Sequence, residues 1–174
     1  MKLTLYEKKD YIETAKGNRI ARSCILKLPR NVRISGKTVL RDQVSIRGDR
    51  GAKIELGRYV YLSEKSELDP TDDATAMKIG SSVFVGRNTK ICGAKYVGTN
   101  VYIGEDVKIG KDCVIKDNVI IEDGSVLAPG TLIPPFSMYG GKPARLVAEL
   151  PLSVAQLFAE QSRERYRKFK IREV

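Results

Sequence analysis

The chain has 174 residues, a formal net charge of +10, 7% aromatic residues and no histidine. This length suits one domain, and no apolar run approaches the roughly 20 residues that a membrane span needs. Because no signal-peptide pattern opens the sequence and its three cysteines form no CxxC pair, we expect a reducing compartment without disulfides or a zinc knuckle. The charge would permit nucleic-acid binding, but aromatic residues are sparse and no nucleic-acid module is recognisable, so an acidic protein partner is the better expectation.

Residues 1–27 precede the regular part of the sequence, and we expect them to cap one end of the repeat described below. Gly17-Asn18 predicts a turn between short strands. A cap is expected because an open coil exposes unpaired strand edges. The strands are predicted from five apolar residues: Tyr11, Ile12, Ile20, Ile25 and Leu26.

A six-residue repeat is predicted to begin at Leu28 and to continue through Ile34, Leu40 and Ile46. Ten residues then separate Ile46 from Leu56, which predicts a bulge or a short excursion at a corner. The repeat resumes up to Leu68, and the polar segment from Asp69 to Met77 is predicted to be a loop that leaves the coil.

Residues 79–138 form ten uninterrupted hexads, and they decide the fold prediction. Every hexad opens on an aliphatic residue, from Ile79 to Ile133, and its fifth position is small or β-branched except at Lys95. Six residues do not match the helical period, whereas the fifth position and the next first position are two apart and share one face of a strand. The pattern therefore predicts a parallel β-helix of about six coils, three hexads per turn.

The chain must turn between these short strands. The fourth position holds mostly residues that tolerate positive φ, such as Asn100 and Gly124, and the second position often holds glycine, which we expect to add freedom. The hexads also resemble the left-handed hexapeptide β-helix proteins, and that resemblance implies the handedness.

The sequence after Tyr139 predicts the end of the coil and then a helix. Ser153 and Gln156 fit a capping box, and Val154, Leu157 and Phe158 recur at helical spacing, so the apolar residues are predicted to lie against the coil. The basic residues of this segment are either a partner surface or a solvated helix face: Arg163, Arg165, Arg167, Lys168, Lys170 and Arg172. The predicted units are residues 1–27 as a cap, 28–145 as the β-helix and 146–174 as the helix and basic tail.

The catalytic chemistries that this fold hosts depend on histidine, which the chain lacks. Hexapeptide acyltransferases use a histidine base. The sequence also resembles gamma-class carbonic anhydrases, whose zinc ligands would fall at Asp69, Arg87 and Cys92 here. Arginine does not ligate a metal and the other two are too few for zinc, so we expect no metal, no cofactor and no enzymatic activity.

Three further residues are candidates for a subunit contact. By the same resemblance Arg47 and Asp49 lie near a subunit contact, where they form either an interface ion pair or merely a corner. Lys95 interrupts the inward column, so it either snorkels at a loosened coil or marks a subunit contact.

The segments at both ends identify a more specific resemblance. YIETAKGNRIARSCIL near the start, ISGKTVL and IRGD in the first coils, and LAPGTLIPPFSMYGGKPARLVAELP with RYRKFK near the end resemble the dynactin subunit 5 family. The resemblance runs from about Tyr6 to Lys170. It implies a non-catalytic structural subunit of the dynactin pointed-end complex, which docks cargo adaptors for dynein-driven transport along microtubules.

The resemblance also implies partners and a location. The partners are a second left-handed β-helix subunit, an actin-related protein at the filament pointed end, a larger zinc-containing dynactin subunit and dynein cargo adaptors. The location is cytoplasmic and cytoskeleton-associated, with membranes reached only indirectly. The alternatives are an anhydrase-like homotrimer without a working metal site and an acyltransferase that uses an unexpected base.

Overall fold

The computed structural model describes residues 1–71 and 76–173, and it shows a parallel β-solenoid with one helix near the end of the chain. The helix, α1, is Val154–Lys168, and short 3-10 turns lie at Lys8–Asp10, Pro29–Asn31 and Gly48–Arg50. The predicted fold class, with about six coils and a C-terminal helix, is confirmed.

The strands are short, as a three-sided coil requires. The first twelve are β1 (Thr4–Tyr6), β2 (Tyr11–Glu13), β3 (Arg19–Ala21), β4 (Ile25–Lys27), β5 (Val32–Gly36), β6 (Val39–Leu40), β7 (Ser45–Arg47), β8 (Lys53–Arg58), β9 (Tyr61–Leu62), β10 (Glu67–Asp69), β11 (Ala76–Ile79) and β12 (Val83–Val85). The others are β13 (Lys90–Cys92), β14 (Tyr96–Val97), β15 (Val101–Ile103), β16 (Lys108–Ile109), β17 (Val114–Ile115), β18 (Val119–Ile121), β19 (Val126–Leu127), β20 (Leu132–Ile133), β21 (Ser137–Gly141), β22 (Ala144–Glu149) and β23 (Phe169–Ile171).

Three sheets form the sides of the coil. Face 1 has the order β2-β3-β6-β9-β12-β15-β18-β21-β22, face 2 the order β4-β7-β10-β13-β16-β19, and face 3 the order β5-β8-β11-β14-β17-β20. Neighbouring strands are parallel except in the first and last pairs of face 1. The chain therefore visits faces 1, 2 and 3 in turn, and the described strands complete six coils.

The core is the stack of inward-facing aliphatic residues that the hexads predict. Leu62, Val85 and Ile103 lie in register on face 1, and each is fully buried. Serine and threonine at inward positions keep their hydroxyls satisfied, since Thr89 donates to the backbone oxygen of Gly104 at 2.7 Å. The core is thus continuous along the coil axis and needs no helix to close it.

The first three coils carry extra residues at one corner, between faces 2 and 3. Regular pairs such as Val101 with Val119 lie 18 residues apart, but Arg19 pairs with Val39 and Val39 with Tyr61. The predicted excursion after Ile46 is confirmed as the 3-10 turn Gly48–Arg50. Strand registry recovers after each excursion because a corner can lengthen without changing the strands beside it.

Two predictions near these corners are wrong. The repeat does not begin at Leu28, whose side chain is exposed; Leu26 faces the core, and parallel pairing begins at β3, within residues 1–27. The segment from Asp69 to Met77 is not wholly a loop, because Asp69 ends β10 and Met77 lies buried in β11. The polar residues between the two strands made the predicted loop too long at both ends. Residues 72–75 lie outside the described ranges.

Glycine at the second hexad position has another role than the predicted freedom. Gly86 is absent from the positive-φ residues, but a Cβ there would lie 2.4 Å from the backbone of Gly104 in the next coil. The fourth-position prediction is confirmed, since Asn100 has φ 57° and Gly124 has φ 68°. The fourth hexad position supplies the left-handed turn, and glycine at the second position lets successive coils approach closely.

The chain ends close face 1. As predicted, β2 and β3 form a hairpin about Gly17 and Asn18, while β1 pairs with β23 in a separate parallel sheet that the sequence did not suggest.

The predicted capping box is wrong: Ser153 makes no side-chain cap bond, and the Gln156 amide instead donates to Glu160. The helix start is instead held by backbone bonds, from Val154 N to Pro151 O and from Ala155 N to Leu152 O.

Candidate functional site

An apolar column runs along the outside of face 1. Tyr61, Phe84 and Tyr102 stand in register on neighbouring strands, with ring centroids 5.7 Å and 4.8 Å apart and interplanar angles of 21° and 11°. Such offset stacking stabilises a column of rings on adjacent strands. The column would be exposed if α1 and β23 did not cover its first half.

Phe169 is the residue that closes this cover. Its buried ring stacks on Tyr6 at 4.7 Å and meets Tyr11 edge-on at 5.2 Å. The Arg19 guanidinium donates to the backbone oxygens of Tyr166 and Phe169, so the end of α1 and the start of β23 are fastened to β3. Burial raises the pKa of Tyr6 and Tyr11, as expected for phenols enclosed by rings.

Arg47 and Asp49 lie at the corner where the second coil makes its excursion. The Arg47 Nε donates to Asp49 Oδ1 at 2.9 Å and Nη2 donates to Oδ2 at 3.1 Å, a two-point pair. This hydrogen bonding raises the pKa of Arg47 and lowers that of Asp49. The two side chains hydrogen-bond to each other within one corner of the coil, and their part in a subunit contact stays a prediction.

Lys95 does not enter the core. Gly93, with φ 73°, turns one residue early, so Ala94 fills the inward position and is buried. The Lys95 side chain is exposed, and its Nζ lies 3.6 Å from Asp112 Oδ1 on the next coil. The break in the hexad column is therefore a one-residue shift of the corner, and a subunit contact through Lys95 stays a prediction.

The six basic residues near the chain end do not form one surface. Arg165 turns toward face 1 and lies 4.4 Å from the centre of the Phe84 ring, whereas Arg163 points to solvent. Three others contact acidic residues, namely Arg167 and Lys168 with Glu164, and Arg172 with Glu7. Lys170 is exposed in β23.

The positions that match the anhydrase ligands do not converge on a metal site. Asp69 and Cys92 are adjacent in register on face 2, but Asp69 accepts from Arg50 at 3.2 Å. Arg87 lies at the other edge of that face and contacts Glu64 at 3.3 Å. Within the described ranges no group of three or more histidine, cysteine, aspartate or glutamate residues could hold a metal ion.

The three cysteines are free thiols, and their surroundings disfavour the thiolate that nucleophilic chemistry requires. Burial raises the pKa of Cys24 to about 11, and burial also raises the pKa of Cys92 and Cys113. A thiol reacts through its thiolate, and burial therefore disfavours the reactive form of all three cysteines.

The C-terminal end of the solenoid exposes apolar residues that the sequence analysis did not single out. The last strands of faces 1, 2 and 3 are β22, β19 and β20, and each has one edge without a partner strand among the described residues. We call this region the C-terminal coil end. Its exposed apolar side chains, with their exposed fractions, are Leu132 (60%), Leu146 (54%), Val147 (52%) and Leu152 (76%).

Only a pattern of apolar residues outside the inward columns could have revealed this surface. Leu132 occupies the outward column of face 3 after Tyr96 and Val114, a position that holds Arg33 and Glu55 in the first coils. The outward column thus changes from charged to apolar along the solenoid. No helix in the described part of the chain has the length and apolarity that crossing a membrane requires.

Comparison with known proteins identifies the family. The family model described as dynactin subunit 5 matches residues 1–172. The dynactin subunit 5 of Dictyostelium discoideum is 36% identical over 96 residues, an alignment that covers 51% of this chain and 48% of that protein. The match therefore spans about half the length of this curated relative.

Solved structures share the fold at low sequence identity. A hexapeptide transferase family protein from Anaplasma phagocytophilum is 16% identical with a TM-score of 0.57, and the alignment covers 88% of this chain and 91% of that one. A GDP-perosamine N-acetyl transferase from Caulobacter crescentus, solved with CoA and GDP-perosamine, is 19% identical with a TM-score of 0.64 over 76% of this chain and 57% of that one. These likenesses show the left-handed β-helix fold alone.

Proposed function

Because the chain belongs to the dynactin subunit 5 family, we propose that it is a non-catalytic structural subunit of the dynactin pointed-end complex. In that role it contacts a second left-handed β-helix subunit, an actin-related protein at the filament pointed end and a larger zinc-containing subunit. It also docks cargo adaptors for dynein-driven microtubule transport, in the cytoplasm and on the cytoskeleton. The C-terminal coil end is the observation that carries this proposal.

The C-terminal coil end suits end-on contact with another β-helix. Unpaired strand edges readily accept another strand, and exposed leucine and valine side chains mark surfaces that are covered in an assembly. Val147 and Leu146 lie on β22, the last strand of face 1, so both kinds of feature coincide there. A second solenoid stacked on this end would cover β22, with Leu146 and Val147, and would extend the three sheets.

The chemistry of the side chains supports a non-catalytic role. The chain has no histidine to act as base or zinc ligand. Cys92 has a raised pKa, and Arg87, at the position matching a metal ligand, is a cation paired with Glu64. These residues favour a role in protein contact over a role in catalysis.

The test is co-expression with the second β-helix subunit of the pointed-end complex, followed by native mass measurement. We expect a complex of the two, and we expect Val147→Asp with Leu146→Asp to weaken it at least tenfold because two charges would be buried at the contact. Ile25→Asp is the matched control, since Ile25 is equally exposed at 52% but lies on the first strand of face 2, at the other end.

The outcomes separate the alternatives. Loss of the complex with Ile25→Asp, but not with the double variant, would place the contact at the first coil instead. Failure of the wild-type chain to recover any dynactin component would reject the proposal as a whole. A homotrimer of the 19.4-kDa chain would favour the anhydrase-like alternative.

A further inference from the structure

A basic cleft of about 260 Å³ lies where face 1 meets the end of α1, away from the C-terminal coil end. Five cationic side chains line it, Lys2, Arg41, Arg87, Arg165 and Lys168, against the carboxylates of Glu64 and Glu105. Like charges gathered around a concave, partly apolar surface attract an anion more strongly than the same charges spread over a flat one.

Of the two carboxylates that line the cleft, Glu64 is already paired. Glu64 is shared by Arg41, whose Nη2 lies 2.7 Å from Oε1, and by Arg87, whose Nε lies 3.3 Å from Oε2. Lys168 contacts Glu164 at 3.3 Å. Five cations therefore face two lining carboxylates, and two acids outside the cleft contact them, Asp42 at 3.9 Å from Arg41 and Glu164 from Lys168, which leaves more cations than acids.

Arg165, like Lys2, has no carboxylate partner within ion-pair distance among the described residues, and it is the one of the two that is half-buried against rings. It is half-buried over the Phe84 ring at 4.4 Å and the Tyr61 ring at 5.9 Å, and burial lowers the pKa of its guanidinium. Stacking uses the face of the guanidinium, so its N–H groups remain available in the plane of the fork. A desolvated cation with free donors is a site that an anion would stabilise.

We propose that this cleft binds a phosphate monoester carried by a partner polypeptide, a phosphoserine or phosphothreonine side chain, with Arg165 as its main ligand. A phosphate monoester carries about −1.5 to −2 charges at pH 7 and accepts the two-point hydrogen bonds of an arginine fork. A carboxylate, with one charge, matches the excess of cations less well. The ring of Phe84 and the apolar part of the cleft would pack against the stem of the modified residue.

The experiment is a titration of the isotope-labelled chain with N-acetyl-O-phosphoserine amide, followed through the arginine Nε–Hε resonances. We expect saturable shifts of the Arg165 resonance and binding at least tenfold tighter than that of N-acetyl-glutamate amide. Arg165→Met, which keeps the packing on Phe84, should weaken binding at least tenfold. Arg163→Met is the matched control on the same helix, because Arg163 does not line the cleft, and it should change binding less than twofold.

Other results would overturn the assignment. Equal binding of the glutamate amide would make the cleft a carboxylate site, and equal binding of inorganic phosphate would point to a free anion instead of a partner side chain. Equal loss with both arginine variants, or tighter binding to phosphatidylserine vesicles, would indicate general electrostatic attraction. Arg165→Lys, which keeps the charge without the fork, repeats the test if Arg165→Met does not fold, and it should also lose most of the binding.

Discussion

At the residue scale, the solenoid depends on two glycine roles that differ in physical cause. Gly86 allows the next coil to approach, since a Cβ there would overlap the backbone of Gly104. Gly124 supplies a left-handed turn with φ 68°, and nothing lies within 4 Å of where its Cβ would be. The first requirement is for space that no side chain can occupy, whereas the second is for a conformation that asparagine also adopts.

These two glycines should therefore respond differently to substitution. We expect Gly86→Ala to lower the free energy of unfolding by about 3 kcal/mol, because backbone atoms on both coils must move. Gly124→Asn should cost less than about 1 kcal/mol, because asparagine tolerates this conformation. Urea unfolding followed by circular dichroism measures both, and equal costs would contradict the distinction.

At the element scale, β1, β23 and α1 act as one cover on face 1. Phe169 joins them, because its ring contacts Tyr6 from the first strand and Tyr11 from the second. The sheet of β1 and β23 has only two strands, which are marginally stable in isolation. Its order thus depends on the aromatic contacts beneath it.

Phe169→Ala should release this cover without unfolding the coils. We expect a loss of about 3–5 kcal/mol in local stability, the usual cost of removing a buried phenylalanine side chain. Hydrogen exchange should quicken in β1, β23 and the last turn of α1 and stay unchanged in β16 and β17. Leu157 is exposed and does not lie against the coil as its spacing predicted, so Leu157→Ala is the control and should change stability by less than about 0.5 kcal/mol. Faster exchange throughout faces 2 and 3 would show that the cover is not a separate unit.

At the scale of the whole molecule, faces 2 and 3 complete the core without the helix, and face 1 is partly covered by α1 and β23. Faces 2 and 3 complete the core through Ile91, Val97 and their neighbours in register, without any residue of α1. Face 1 carries the outward column of Tyr61, Phe84 and Tyr102, which α1 and β23 cover in part. Stability therefore comes mostly from stacking between coils, while the helix protects an apolar surface.

Deletion of residues 153–174 tests this division. We expect the far-ultraviolet β signal to remain, the thermal midpoint to fall by roughly 10 °C, and the uncovered column to bind a hydrophobic dye. Deletion of residues 172–174 should change all three measurements little, because it removes only the exposed ion pair of Arg172 with Glu7 and one backbone bond, from Arg172 N to Tyr6 O. Complete loss of the β signal in the longer deletion would contradict a self-sufficient coil.

The sequence alone determined the repeating architecture, because each hexad contains both the inward-facing residue and the turn residue that one side of a coil needs. An aliphatic residue such as Ile103 and a turn residue such as Asn100 need only neighbours 18 residues away, and the sequence displays that spacing. The family also followed from the residues, through segments outside the repeat at both ends, and the family model confirms it. Local patterns and their regular spacing were sufficient for both.

Only the tertiary structure decided which side chains outside the core are exposed and which are covered. The helical spacing separates Arg163 from Arg165, because residues two apart lie on opposite sides of a helix, but only the packing of α1 on face 1 shows that Arg165 stacks on Phe84. Lys95 is outside the core because Gly93 turns one residue early. The exposed apolar residues of the C-terminal coil end belong to β20, β22 and the turn before α1, and no local sequence pattern shows which strand is the last in each sheet.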